Sequence, residues 1–187
     1  YTIKAIAYKT GFRKSQVAEF KYKISKIVHR PESEGTFTYN GGSQLILEGS
    51  DYYAIKPESG SGVQIDEYGN AFATNAGEYK LTVFLRNGFF WENDSEDPST
   101  EDMTVTRKIC KAESEITLES ATFREDGKPK SIPKAVVSGS SGKVKYTYYS
   151  DSECTEEIPA DSVVKKGKYY VKASVAADSN YKKAVSN

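Results

Sequence analysis

Histidine occurs once in this chain of 187 residues, as His29. A Ser-His-Asp or Cys-His device needs that group fixed in a cleft beside a nucleophile and an orienting partner. His29 instead falls in a charged stretch beside Pro31 that reads as a solvated linker, so no catalytic residue is assigned and the chain reads as a non-enzyme. Cysteine occurs twice, as Cys110 and Cys154, too few for a disulfide scaffold. Two unpaired thiols are the favoured reading over a bond between them. Charge of one sign is missing too: 26 basic residues balance 26 acidic ones, and no basic excess is available to bind nucleic acid or an anionic membrane. No apolar run approaches the length of a membrane span, and the first residues are not a signal peptide. Helical periodicity appears nowhere over a useful length. The chain starts inside a strand pattern and stops soon after one, which reads as a piece of a larger protein.

What is abundant points to strands. There are 14 tyrosines against one tryptophan and one methionine. Tyr, Val, Ile and Thr suit a half-buried pleat, where branched and aromatic side chains pack against cross-strand neighbours. The sequence also repeats. Gly77-Glu78-Tyr79-Lys80-Leu81-Thr82-Val83 returns as Gly167-Lys168-Tyr169-Tyr170-Val171-Lys172-Ala173. Phe37 precedes Asn40-Gly41 at the offsets by which Phe123 precedes Asp126-Gly127. The two landmarks recur after 86 and 90 residues, a period near the size of an immunoglobulin-like sandwich. The expectation is an all-β chain of tandem immunoglobulin-like β-sandwich modules in an elongated array.

Residues 1–26 read as the terminal hairpin of an incomplete sandwich. Ile3, Ala5 and Ala7 share one face, Lys9-Thr10-Gly11 signals the turn, and Phe20, Tyr22 and Ile24 alternate with charged residues on the return. Residues 27–34 read as a linker within the next module, 27–112. There Thr36 to Tyr39, Leu45 to Leu47, Tyr52 to Ile55 and the Gly77 segment are strands. Tyr79, Leu81, Val83 and Leu85 share a face. Met103, Val105 and Ile109 close the module, although Arg107 breaks their apolar face. The third module, 113–187, takes Ile116, Leu118, Ile132, Ala135, Val137 and the alternating Val144, Tyr146 and Tyr148, with its last strand cut short.

The segments Phe37-Thr38-Tyr39-Asn40-Gly41, Ala73 to Tyr79 and Gly88-Phe89-Phe90-Trp91 resemble bacterial cell-surface repeats with an immunoglobulin-like sandwich. Asp126-Gly127-Lys128, Gly167 to Ala173 and Asp178-Ser179-Asn180-Tyr181 look like a sister repeat. Tyr1 to Ala7, Gly11, Ser15 and Phe20 to Ile24 resemble the end of the small C-terminal sandwich of chitobiase-type glycosidases. These resemblances imply extracellular stalk, adhesion or accessory modules with no catalytic residues to carry over. Arg107 departs from the apolar residue expected there, which puts the register of its strand in question.

Three groups of residues are candidate sites. Phe89, Phe90 and Trp91 with Tyr52 and Tyr53 could form a platform for sugar rings, against the favoured reading that large aromatics fill the core. Asp94, Glu96, Asp97, Glu101 and Asp102 form an acidic loop of the kind Ca²⁺ takes, although it lacks the ordered spacing of a calcium loop and a solvated hairpin loop is favoured. No other cofactor is expected. Tyr79 and Tyr169, following Gly77 and Gly167, resemble tyrosine corners and are expected to be structurally equivalent and mostly buried. The expected role is a spacer of a secreted or wall-attached bacterial protein, with flanking domains of the same polypeptide as its partners. The alternatives are a module that binds carbohydrate or a host ligand, and an accessory domain of a glycoside hydrolase.

Overall fold

The computed structural model describes every residue except 23–25 and 93–98. It is built of strands, and the described residues contain no α-helix, only a 3-10 turn at Ala160–Ser162. In chain order the strands are β1 (Thr2–Ala5), β2 (Ala18–Lys21), β3 (Lys26–Val28), β4 (Glu34–Thr38), β5 (Gln44–Leu47), β6 (Tyr53–Pro57), β7 (Gln64–Ile65), β8 (Ala71–Ala73) and β9 (Gly77–Leu85). They continue as β10 (Phe89–Trp91), β11 (Met103–Cys110), β12 (Glu115–Thr117), β13 (Val136–Ser138), β14 (Val144–Tyr149), β15 (Glu157–Ile158), β16 (Tyr170–Val175) and β17 (Ala184–Val185).

Buried residues fall into two separate clusters. The larger lies between the sheet β4-β11-β9-β6 and the sheet β5-β8-β7. Period-two alternation along β9 and β11 turns Tyr79, Leu81, Val83, Val105 and Ile109 inward, where they meet Ile46, Leu47, Ala71 and Ala73. Trp91 plugs this core at 0% exposure, and its indole N–H donates to the Glu101 carbonyl at 2.8 Å. A side chain of that size removes so much apolar surface from water that its burial stabilises by about 3 kcal/mol.

The linker expected at 27–34 is in part a strand. β3 pairs in parallel with β10, setting Val28 opposite Trp91, and Val28 is buried in the core. A three-residue strand carries too little alternation to stand out in sequence. β1 and β2 form an antiparallel hairpin with Ile3 opposite Phe20. Both side chains are more than half exposed, and Ile24 lies outside the described residues.

The smaller cluster packs Ile116 and Ala135 against Ala173 and Val175, beneath the sheet β15-β14-β16-β17. β16 stands between β14 and β17 as β9 stands between β6 and β11, with an earlier strand on one side and a later strand on the other. The turn landmark recurs as well. Asn40 accepts from the N–H of Gly42 and Asp126 from that of Lys128, each at 2.9 Å, with the intervening Gly41 and Gly127 at φ of 86° and 70°. The strand before the turn does not recur. Phe37 lies in β4 and packs on the core, whereas Phe123 lies outside any strand and is 46% exposed.

Candidate functional site

The residues that tie the two clusters together lie in the short connection after β11. Ala112 forms a parallel bridge with Tyr181, its N–H donating to the Asn180 carbonyl at 2.9 Å and its carbonyl accepting from the Lys182 N–H at 2.8 Å. The Asn180 side chain reaches further into the larger unit. Its Oδ1 accepts from the Ala76 N–H at 2.8 Å, and its Nδ2 donates to Asn75 Oδ1 at 3.1 Å. The Tyr181 ring stands edge-on to Tyr39 with centroids 5.2 Å apart, a favoured aromatic geometry.

Asp178 shapes the loop that presents these two side chains. Its Oδ1 accepts from the N–H groups of Asn180 and Tyr181, and its Oδ2 from the N–H and hydroxyl of Ser141. Four donors stabilise the carboxylate, and the Ser141 and Asn180 backbone bonds foremost hold its pKa well below the usual carboxylate range. Gly139 lies under the Tyr181 ring at φ 101°, and a Cβ there would come within 2.9 Å of that ring. Only glycine suits both the backbone and the space.

The far side of the junction is the Asn75–Gly77 turn. Tyr79 holds it from inside, its hydroxyl donating to the Asn75 carbonyl at 2.5 Å. Tyr169 makes the same i to i−4 bond to the Lys165 carbonyl, at 3.1 Å. The rings also pass over Gly77 and Gly167 alike, since a Cβ on either would meet ring atoms at 3.7 and 3.5 Å. That is ordinary van der Waals distance and neither φ is positive, so the two glycines are permitted by the corner, not required by it. Tyr79 is buried and Tyr169 only half-buried. Tyr79 lies inside a long strand with a sheet facing it, whereas Tyr169 immediately precedes β16 and is less completely covered.

Arg107 overturns the doubt about register. β11 keeps Val105, Arg107 and Ile109 on one inward face, and Arg107 is 5% exposed. Its Nε donates to the Ile46 carbonyl at 2.7 Å and its two terminal nitrogens to the carbonyls of Glu32 and Thr106 at 3.0 Å each. The β5–β8 register shifts between Leu45 and Leu47, so Ile46 has no strand partner and the guanidinium supplies one. Burial pushes the Arg107 pKa down and the Glu32 carboxylate opposes that shift. Opposite it on β4, Gly35 leaves room for the stem, since a Cβ there would lie 2.9 Å from Arg107 Cδ.

The aromatic candidates separate. Trp91 is a core residue and cannot meet a ligand. Tyr53 packs on it, with rings 5.8 Å apart and its hydroxyl bonded to the Glu48 carbonyl. Tyr52, 48% exposed, and Phe89 keep a surface pair at 5.1 Å, and Lys26 lies over Phe89 at 5.5 Å. Phe90 is half-buried in the same strand. Of the acidic loop, Asp94, Glu96 and Asp97 lie outside the described residues, and Glu101 and Asp102 are exposed. No three His, Cys, Asp or Glu side chains among the described residues converge on a metal position. His29 lies on the surface beside Glu92. Cys110 and Cys154 are both free. No helix among the described residues is long and apolar enough to cross a membrane.

No protein-family model, curated protein or solved structure matches the chain.

Proposed function

We propose that this chain is a non-enzymatic spacer from a secreted or wall-attached bacterial surface protein, with two immunoglobulin-like sandwiches held in line to project or support a neighbouring domain. The observation that carries this reading is the junction. Only four residues separate β11 from β12. Ala112 is bonded on both its N–H and its carbonyl, and Ser114 bonds to the Lys182 carbonyl. Asn180 and Tyr181 then hold the far unit by its turn and by Tyr39. A connection so short and so fully bonded has little freedom to bend.

Exposed area supports the same reading. The chain exposes 13842 Å², whereas a compact protein of its mass exposes about 8,900 Å². The motifs Phe37 to Gly41 and Asp178 to Tyr181, with their resemblance to surface repeats, agree with it.

Small-angle scattering tests the proposal. The wild-type chain is expected to have a radius of gyration clearly above the roughly 16 Å of a compact chain this long, with one narrow distribution of shapes. The double variant Asn180→Ala/Tyr181→Ala removes both side-chain latches and is expected to broaden that distribution while each unit stays folded. A compact wild-type particle, or a variant as rigid as wild type, would overturn the reading.

A further inference from the structure

The smaller unit is open at one end. Its four-stranded sheet is faced by only β12 and β13, because residues 119–134 contribute no strand. A cleft of about 750 Å³ remains between residues 118–133 and 163–171, within the range of sites that take small molecules. Where the larger unit has Trp91 to plug its core, Phe123 here turns to solvent at 46% exposure. Tyr148 and Tyr170 line the cleft half-buried.

Its charge is one-sided. Lys165, Lys166 and Lys168 line one wall and Arg124 the other, all four exposed. None of the four has an ion-pair partner among the described residues, whereas Lys130 in the same lining is paired with Asp126. Glu119 and Glu125 are the acidic side chains in the lining. The chain as a whole is neutral, so this concentration of cations is local to the cleft.

We propose that this cleft binds an anionic saccharide chain. Sugar rings have apolar faces that pack on Phe123 and Tyr170, as amphipathic partners do on aromatic surfaces. Their carboxylate or sulfate groups meet the three lysines and the fork of Arg124, whose geometry suits a two-oxygen anion. A polynucleotide fits less well. It needs a basic groove that tracks many phosphates, and these cations are confined to one pocket rimmed by Glu119 and Glu125. The site does not depend on the spacer role, because it lies within one unit and uses none of the junction side chains.

Calorimetric titration of the full chain is the test, with a galacturonate hexamer, a sulfated heparin hexasaccharide, neutral maltohexaose and a thymidine oligonucleotide as probes. At least one anionic saccharide is expected to bind more tightly than about 1 mM, to weaken as salt rises, and to exceed maltohexaose. The stronger of the two identifies the acid group. The triple variant Lys165→Gln/Lys166→Gln/Lys168→Gln is expected to weaken binding about tenfold, as three exposed charge contacts would. Phe123→Ala should weaken it independently, and Tyr52→Ala/Phe89→Ala in the other unit should leave it unchanged. All these side chains are exposed or half-buried, and an unchanged melting temperature would show that the variants fold. Binding of neither anionic saccharide, equal binding by the triple variant, or tighter binding of the oligonucleotide through the same lysines would each overturn the proposal.

Discussion

Replacing Arg107 should reveal whether a buried charge holds the larger unit together. Three carbonyls share its guanidinium, and one belongs to Ile46, which the bulge between Leu45 and Leu47 leaves without a strand partner. Arg107→Met keeps most of the stem that packs over Gly35 and loses the fork. The Ile46 carbonyl is then buried without a donor, which costs about 1–3 kcal/mol. Arg107→Ala also empties the space of the stem, so a cavity cost adds to the orphaned carbonyls and the loss should rise to about 3–5 kcal/mol. The chain's one tryptophan lies in this core, and its fluorescence in a urea titration therefore reports on this unit alone. Both variants should lower the midpoint with the slope unchanged, in the order wild type, Met, Ala. The opposing effect is desolvation of the guanidinium, which its lowered pKa reflects. If Arg107→Met proved as stable as wild type or more so, desolvation would outweigh the three bonds. The arginine would then be tolerated in that core and not needed by it.

The two tyrosine corners should differ in strength. Tyr79→Phe strips a buried 2.5 Å bond and should cost about 1–2 kcal/mol by tryptophan fluorescence, while Tyr169→Phe loses a half-exposed 3.1 Å bond and should cost about 0.5 kcal/mol by tyrosine circular dichroism; equal losses would refute the link to burial. The depressed pKa of Asp178 makes the junction acid-sensitive: its contribution is fully present above the ordinary carboxylate value of 3.8 and is lost as pH falls below it toward the folded value. Between pH 5 and pH 3 the smaller unit should lose more stability in wild type than in Asp178→Asn, and parallel pH profiles would show that the loop does not depend on this charge.

Long strands were legible because they alternate. β9 and β11 carry four and three apolar residues at every second position or nearly so, and burial of one sheet face demands that pattern. β3 and β7 were not legible, since strands of three and two residues cannot show a period. The repeated glycine-tyrosine segment marked two corners that share an i to i−4 bond. The repeated Phe37 and Phe123 landmarks marked two turns alike, but the strand in front of the second is missing. Sequence periodicity records common local geometry, and it does not record whether a facing sheet is present to bury it.

Arg107 and Asn180 were hidden for a related reason. Each acts through backbone groups far along the chain, Arg107 on Ile46 and Asn180 on Ala76. A backbone carbonyl or N–H belongs to every residue type, so the partner leaves no trace in the sequence. An arginine with no acid beside it along its own strand looks like an error in an apolar pattern until the bulge that orphans Ile46 is known. The open cleft was hidden differently. Its lysines and Phe123 resemble any solvated turn, and only the absence of a strand across 119–134 brings them to one opening. The two sites thus have opposite origins: the junction arises where pairing is complete across two units, and the cleft where pairing is missing within one.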